Sequence, residues 1–249
     1  MNNSPSLLPD YLKILREKWR EVPSSTQDRT FSSDLLALAD ADLLRLWQGW
    51  YDDNCAGAGY STRGWYHDLY APLARTGGAW LEIGSGLGYD GIFFAQQGAQ
   101  VTFLDIVEGN LQVIERLCGI LGVKQVNFRV LTSLEDIRPL GTFDCILAVG
   151  SLINAPFDLM CAERNALATH LRRDGRWLEL CYPRERWERE GSLPFSEWGK
   201  KTDGDRTPWV EWYDLEKLQR SLQPHRFETV LDINFHNHDF NWFDLTKRS

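Results

Sequence analysis

The chain has 249 residues, 43% of them hydrophobic and 25% charged, enough for one α/β domain with decoration or at most two small ones. Its 27 Lys and Arg stand against 35 Asp and Glu, a formal charge of -8, which argues against phosphate-driven affinity and so against nucleic acid as a partner. No segment reaches the roughly eighteen apolar residues that span a bilayer, and "MNNSPSLLPD" carries neither a basic nor an apolar leader region, so we expect no membrane association and no export. Five cysteines without a C-x-x-C pair suggest neither a disulfide framework nor a metal site and suit a reducing cytoplasm. Cys145 and Cys181 fall in apolar strand-like runs and read as core residues.

In chain order, residues 1–75 read as a helical cover. Leu12, Leu15 and Trp19 recur at helix spacing, and Ser32 or Ser33 is placed to cap a following helix. From residue 76 the pattern changes: "AWLEIG", a helix over 89–97, "QVTFLDI", a helix over 108–121, "VNFRVL", "FDCILAVGS", a helix over 158–173 and "GRWLELCYP" alternate. Alternation of this kind implies a doubly wound, Rossmann-like parallel sheet. Residues 184–213, rich in charge, Trp and Pro, interrupt the pattern as an insert. "RFETVLDINF" and "FNWFDLTKR", separated only by "HNHD", must pair as a hairpin and make the last strand antiparallel, for seven strands in all. Asn154 and Pro156 are positioned to start the helix between strands four and five as cap and first-turn proline.

The informative stretch is "LEIGSGLGYD", residues 81–90. A glycine-rich turn between a strand and a helix lets a nucleotide-like ligand approach the main chain. In the dinucleotide fingerprint the sixth position is small; here it is Tyr89, and Glu82 precedes the first glycine where an apolar residue is usual, so pyrophosphate is disfavoured. The spacing Gly84-x-Gly86-x-Gly88, with Asp105 seventeen residues later at the end of the next strand, places a carboxylate where it can accept both hydroxyls of a ribose. An N-cap role for Asp105 is the competing reading.

This stretch resembles motif I of the class I S-adenosylmethionine-dependent methyltransferases, E/D-x-G-x-G-x-G. The resemblance covers about residues 60–183 and implies S-adenosylmethionine as cofactor, with Glu82 toward its amino-acid end, Gly84, Gly86 and Gly88 against its ribose and methionine chain, and Asp105 on the ribose. It further implies an adenine contact near Ser133 and a methionine contact at Gly150, and an N-terminal cover in which Arg63 meets the methionine carboxylate and Tyr66 the sulfonium or acceptor. The stretches "WEREGSLPF", "KTDG", "EWYDL" and "FNWFDL" are similar to bacterial methyltransferases of natural-product and surface-polysaccharide pathways, which implies a small-molecule acceptor.

Ligands in doubly wound sheets lie beyond the carboxyl ends of the strands, so the insert and the final hairpin are the expected acceptor wall. His236 and His238, in the hairpin turn, are candidate bases for an oxygen or nitrogen nucleophile. An NAD-dependent oxidoreductase and a non-catalytic nucleoside-binding module remain the alternatives at this point.

Overall fold

The computed structural model describes residues 8–24, 29–56 and 63–249. The opening seven residues, where a leader was looked for, and residues 59–62 of the run before the first sheet strand lie outside it. The chain forms two compact units, Trp19–Val130 and Leu131–Ser249 together with the N-terminal segment through Lys18. Seven strands make a mixed α/β sheet.

In the unit Trp19–Val130, strands β3 (Ala79–Ile83), β4 (Gln100–Asp105) and β5 (Val126–Val130) pair in parallel in the order β5-β4-β3. β3 and β4 are buried along nearly their whole length, as strands of a parallel sheet covered by helices are. Helices α5 (Tyr89–Gln97) and α6 (Glu108–Leu121) fall within a residue or two of the expected spans. Trp80 and Phe94 pack with ring centroids 4.6 Å apart, and Ile92, Phe103, Val113 and Ile114 fill the remaining interior.

Upstream, the segment is not wholly helical. Glu21–Pro23 (β1) and Arg29–Phe31 (β2) form a two-stranded ribbon ahead of α2 (Ser32–Leu36), α3 (Asp40–Tyr51), a π-helical turn Asp52–Ala56 and α4 (Gly64–Ala74). Neither Ser32 nor Ser33 caps α2: Phe31 is its N-cap residue, and no side chain serves there. Ser32 begins the helix and is buried against Gly109.

In the other unit, α1 (Leu8–Lys18) buries Leu12 and Leu15 as their spacing requires but ends before Trp19. β6 (Phe143–Val149) and β7 (Leu171–Cys181) are parallel; β9 (Phe240–Lys247) is antiparallel to β7, and β8 (Phe227–Phe235) antiparallel to β9. Helix α7 (Phe157–Ala168) stops five residues before the expected end, because "LRRDG" is taken into β7. Asp174 adopts φ 62° there, and Gly175 lies so close to Leu171 and the Asp144 carbonyl that no Cβ would fit. Residues 171–173, expected at the end of that helix, belong instead to an irregular start of β7. Asn154 does not cap α7: Pro156 is the N-cap residue, and the Asn154 amide donates to the Trp209 carbonyl at 3.3 Å. Cys145 and Cys181 are fully buried.

Close packing of α5 on β4 is set by Gly91. A Cβ there would stand 2.3 Å from Phe103 Cε1 and 2.4 Å from Glu82 Oε2. Gly91→Ala is therefore expected to destabilise the protein by about 1–3 kcal/mol through overpacking, while Gly119→Ala, in an exposed stretch of α6 with nothing within 4 Å, gains about 0.5–1 kcal/mol. Urea unfolding of the two variants measures both signs.

Candidate functional site

β3 delivers its chain into a turn in which Gly84, Gly86 and Gly88 all take positive φ, 65°, 55° and 71°. Side chains other than glycine rarely adopt this region, so the alternate glycines follow from the turn's geometry. Where a Cβ of Gly86 would stand, nothing lies within 4 Å, and the middle of the turn presents bare main chain to open space. Gly88 is closed in by Ile114, 2.9 Å from the equivalent point.

Asp105 ends β4 and fixes this turn. One carboxylate oxygen accepts the Gly86 N–H at 3.2 Å, the other the Val107 N–H at 2.8 Å. Val107, not Asp105, is the N-cap residue of α6, so the carboxylate spans two loops instead of closing one helix. Burial pushes the Asp105 carboxyl up to about 6 even with these two N–H donors.

Glu82 points into the first turn of α5. It accepts the Gly91 N–H, and its buried Oε2 has no hydrogen-bond partner. Burial, and then the charge on Asp90, push this carboxyl well above the usual range. Asp90, only 2% exposed, is the converse case. Burial alone would raise it, but the Arg63 guanidinium, the His67 ring and the Tyr66 hydroxyl outweigh burial and hold it below the ordinary value. Arg63 pairs with one Asp90 oxygen; Tyr66 Oη donates to the other at 2.8 Å and His67 Nε2 meets it at 2.7 Å. The His67 ring stacks on Phe93 with centroids 4.2 Å apart. Tyr66 is fully buried, whereas Trp65 is only partly so.

The α3 segment also seats on the glycine turn: Trp47 Nε1 donates to the Leu87 carbonyl at 2.9 Å and stacks with Tyr51, and Tyr89 Oη donates to the Ser24 carbonyl at 2.9 Å. The sequence reading took Tyr89 only as an argument against pyrophosphate and gave Asp90 and His67 no role. The legible signal was the spacing 63, 66, 67, which puts three donors on one face of α4.

In the other unit, Ser133 begins a 3-10 turn, Leu134–Ile137, and its N–H and that of Thr132 both donate to Asp136, at 2.9 and 2.7 Å. Gly150, at φ 66°, follows β6, and its N–H reaches the Leu180 carbonyl at 3.0 Å. The stretch after Gly150 is fixed by a fully buried ion pair. Arg164 donates to Glu179 at 2.6 Å and to the Leu152 carbonyl at 2.8 Å, while Trp177 Nε1 donates to Glu179 at 2.7 Å. The insert contains α8 (Arg184–Arg189) and α9 (Phe195–Asp203). Trp198 is fully buried with its Nε1 on Glu190, 2.7 Å away, so this tryptophan anchors the insert.

The chain after α9 then crosses the carboxyl ends of β6 and β7: the Glu211 N–H donates to Ile153 and the Tyr213 N–H to Tyr182, both at 2.9 Å. Lys217, on α10 (Leu215–Ser221), pairs with Glu211 at 2.7 Å and sits 3.9 Å from the Trp212 ring centre. His236, Asn237 and His238 all take positive φ in the hairpin turn, with His236 half-buried beside Phe240 and His238 exposed. That turn is strapped to α8, where Arg189 pairs with Asp239 and donates to the Asn237 carbonyl at 2.9 Å.

Among the described residues, no group of three or more side chains is arranged to hold a metal, and no helix is long and apolar enough to cross a membrane.

Solved structures with this fold include the magnesium protoporphyrin IX methyltransferase of Synechocystis with S-adenosylmethionine bound (TM-score 0.58, 16% identity, 96% of this chain and 98% of that one). An O-methyltransferase family protein from Burkholderia thailandensis aligns at TM-score 0.60 and 10% identity over 98% of this chain and 70% of its own. A S-adenosylmethionine-dependent methyltransferase from Clostridium acetobutylicum aligns at 0.56 and 9% over 74% and 90%. No curated protein matches the chain. The family model described as a methyltransferase domain matches residues 60–231, more than half of the sequence, and the chain belongs to that family of enzymes.

Proposed function

We propose that the protein moves the methyl group of S-adenosylmethionine to an oxygen or nitrogen nucleophile of a small molecule, a natural-product or sugar-like acceptor. One observation carries the cofactor reading: bare main chain at Gly86 faces open space while its N–H is held by the carboxylate that ends the neighbouring strand. A sulfonium donor with no phosphate suits a turn flanked by Glu82, Asp90 and Asp105 better than a dinucleotide does.

In this reading Asp105 accepts the ribose hydroxyls with the lone pairs left after Gly86 and Val107, and Gly84, Gly86 and Gly88 let the ligand lie against the turn. Arg63 supplies the cation for the carboxylate of the amino-acid end, and Glu82 stiffens the turn from behind through Gly91. Ser133 and Gly150 line the path of the adenine and the methionine chain. Tyr66 acts through Asp90, because its hydroxyl is committed there. When bound, the cofactor supplies an electrophilic methyl group open to in-line attack, so the protein's task is alignment plus removal of a proton from the nucleophile. His236 and His238 are the bases for that proton. The stretch 209–213, laid over the ends of β6 and β7, forms the acceptor wall with Trp209, Trp212 and the Lys217–Glu211 pair. A reducing compartment such as the cytoplasm belongs to the same reading, and five cysteines left as free thiols support it.

Titration calorimetry is expected to show one-to-one binding of S-adenosylmethionine and of its demethylated product; no heat with either overturns the reading. Asp105→Ala is expected to weaken both by tenfold or more, about the value of hydrogen bonds to a charged group.

The Asp105 shift also sets a pH dependence. Hydroxyl donors select the ionised carboxylate, and the free carboxyl sits at about 6. Affinity is therefore full above about pH 6 and falls below it, approaching tenfold per pH unit, and Asp105→Asn removes the slope. For folding without ligand the sign is opposite. A value raised from 3.8 to about 6 means that stability is present below 3.8 and is lost as pH rises to 6.

A further inference from the structure

Asp90 lies two residues past the last glycine of the turn, in the first turn of α5, and among the described residues three side chains at the start of α4 meet its carboxylate. Arg63, Tyr66 and His67 are separated by three and one residues, so they present to one side of their helix and reach one carboxylate 23 to 27 residues downstream. The Arg63 guanidinium also donates to the Tyr66 hydroxyl at 3.3 Å and lies 5.7 Å from the Tyr89 ring centre, so its position is fixed from two sides. The cluster is walled by Phe93, Phe94 and Tyr51 against His67. A buried carboxylate that gathers three donors has one favourable arrangement, since each alternative leaves a desolvated group unpaired.

We infer that Asp90 is the positioning residue of the cofactor site: its carboxylate fastens Arg63, Tyr66 and His67 of the cover to the helix that leaves the glycine turn, and so sets where the Arg63 cation stands relative to that turn. The inference rests on the reading of this turn as the S-adenosylmethionine site. Asp90 itself is too enclosed, at 2% exposure, to be a ligand group. Its action is exerted through Arg63, which is about a quarter exposed and whose charge Asp90 balances.

The test is calorimetric binding of the demethylated cofactor, S-adenosylhomocysteine, to purified full-length protein, with thermal melts on the same samples. Wild-type protein that fails to bind removes the cofactor reading itself. Given wild-type binding, Asp90→Asn is expected to weaken affinity at least tenfold in protein that still melts cooperatively, with partial recovery in Asp90→Glu. Arg63→Met should cost a similar factor, and the double variant Asp90→Asn/Arg63→Met should lose no more than either single one, because the two act as a unit. Equal affinity of folded Asp90→Asn and wild type, or losses that multiply in the double variant, overturns the inference and leaves Asp90 a fold contact only. Should Asp90→Asn not fold, His67→Phe decides: it keeps the stack on Phe93 and deletes one donor. A threefold or greater loss of affinity at unchanged fold supports the role, and unchanged affinity overturns it.

Discussion

A hydrogen bond from the Gly86 amide to the Asp105 carboxylate joins the two features on which the site depends, the turn after β3 and the end of β4. It exists only because parallel neighbouring strands end on the same side and in step, with Ile83 opposite Leu104. The turn can approach the carboxylate because its alternate residues lack side chains and take left-handed backbone angles. Parallel pairing, glycine spacing and the terminal acid are thus one constraint seen at three levels. A side chain at position 86 would strain the backbone and fill the open space beside its Cα.

Three carboxylates surround that turn, and their partners set them apart. Asp90 has a guanidinium and two further donors and is ionised. Glu82 is buried with one oxygen unpartnered and with Asp90 nearby, which pushes its carboxyl well up. Asp105, with amide donors that include Gly86 and Val107 and with no cation, falls between.

Much of this was legible in the sequence, because it was written in short-range patterns. Alternating aliphatic runs mark the strands from Ala79 to Cys181 nearly to the residue, apart from the start of β7, and the four-residue gap between the last two runs forces their antiparallel pairing. Asp105 was legible because the strand that carries it has a recognisable end. What escaped depends on contacts between residues far apart in the chain. Nothing local marks Asp90 as the meeting point of 63, 66 and 67, and nothing local distinguishes Tyr66, wholly buried, from Trp65 beside it. The β1–β2 ribbon was missed because three-residue strands leave too few positions for a period to show. Asn154 read as a helix cap because it stands just before α7, yet its amide is used by a carbonyl 55 residues away.

The part of the chain least constrained by the cofactor is held most firmly by its own unit. Residues 209–213 are hydrogen-bonded through their main chain to the stretch after β6 and to the end of β7, and Asn241 at the start of β9 donates to the Tyr213 carbonyl at 3.0 Å. Main-chain bonds of this kind do not depend on which side chains the segment carries. The path of the segment is therefore set by the sheet, whereas Trp209, Glu211 and Trp212 can be exchanged on it without moving the strands beneath. Lys217 is the exception: its ammonium, brought out of water among rings and balanced by Glu211, makes the choice at 211 depend on the choice at 217.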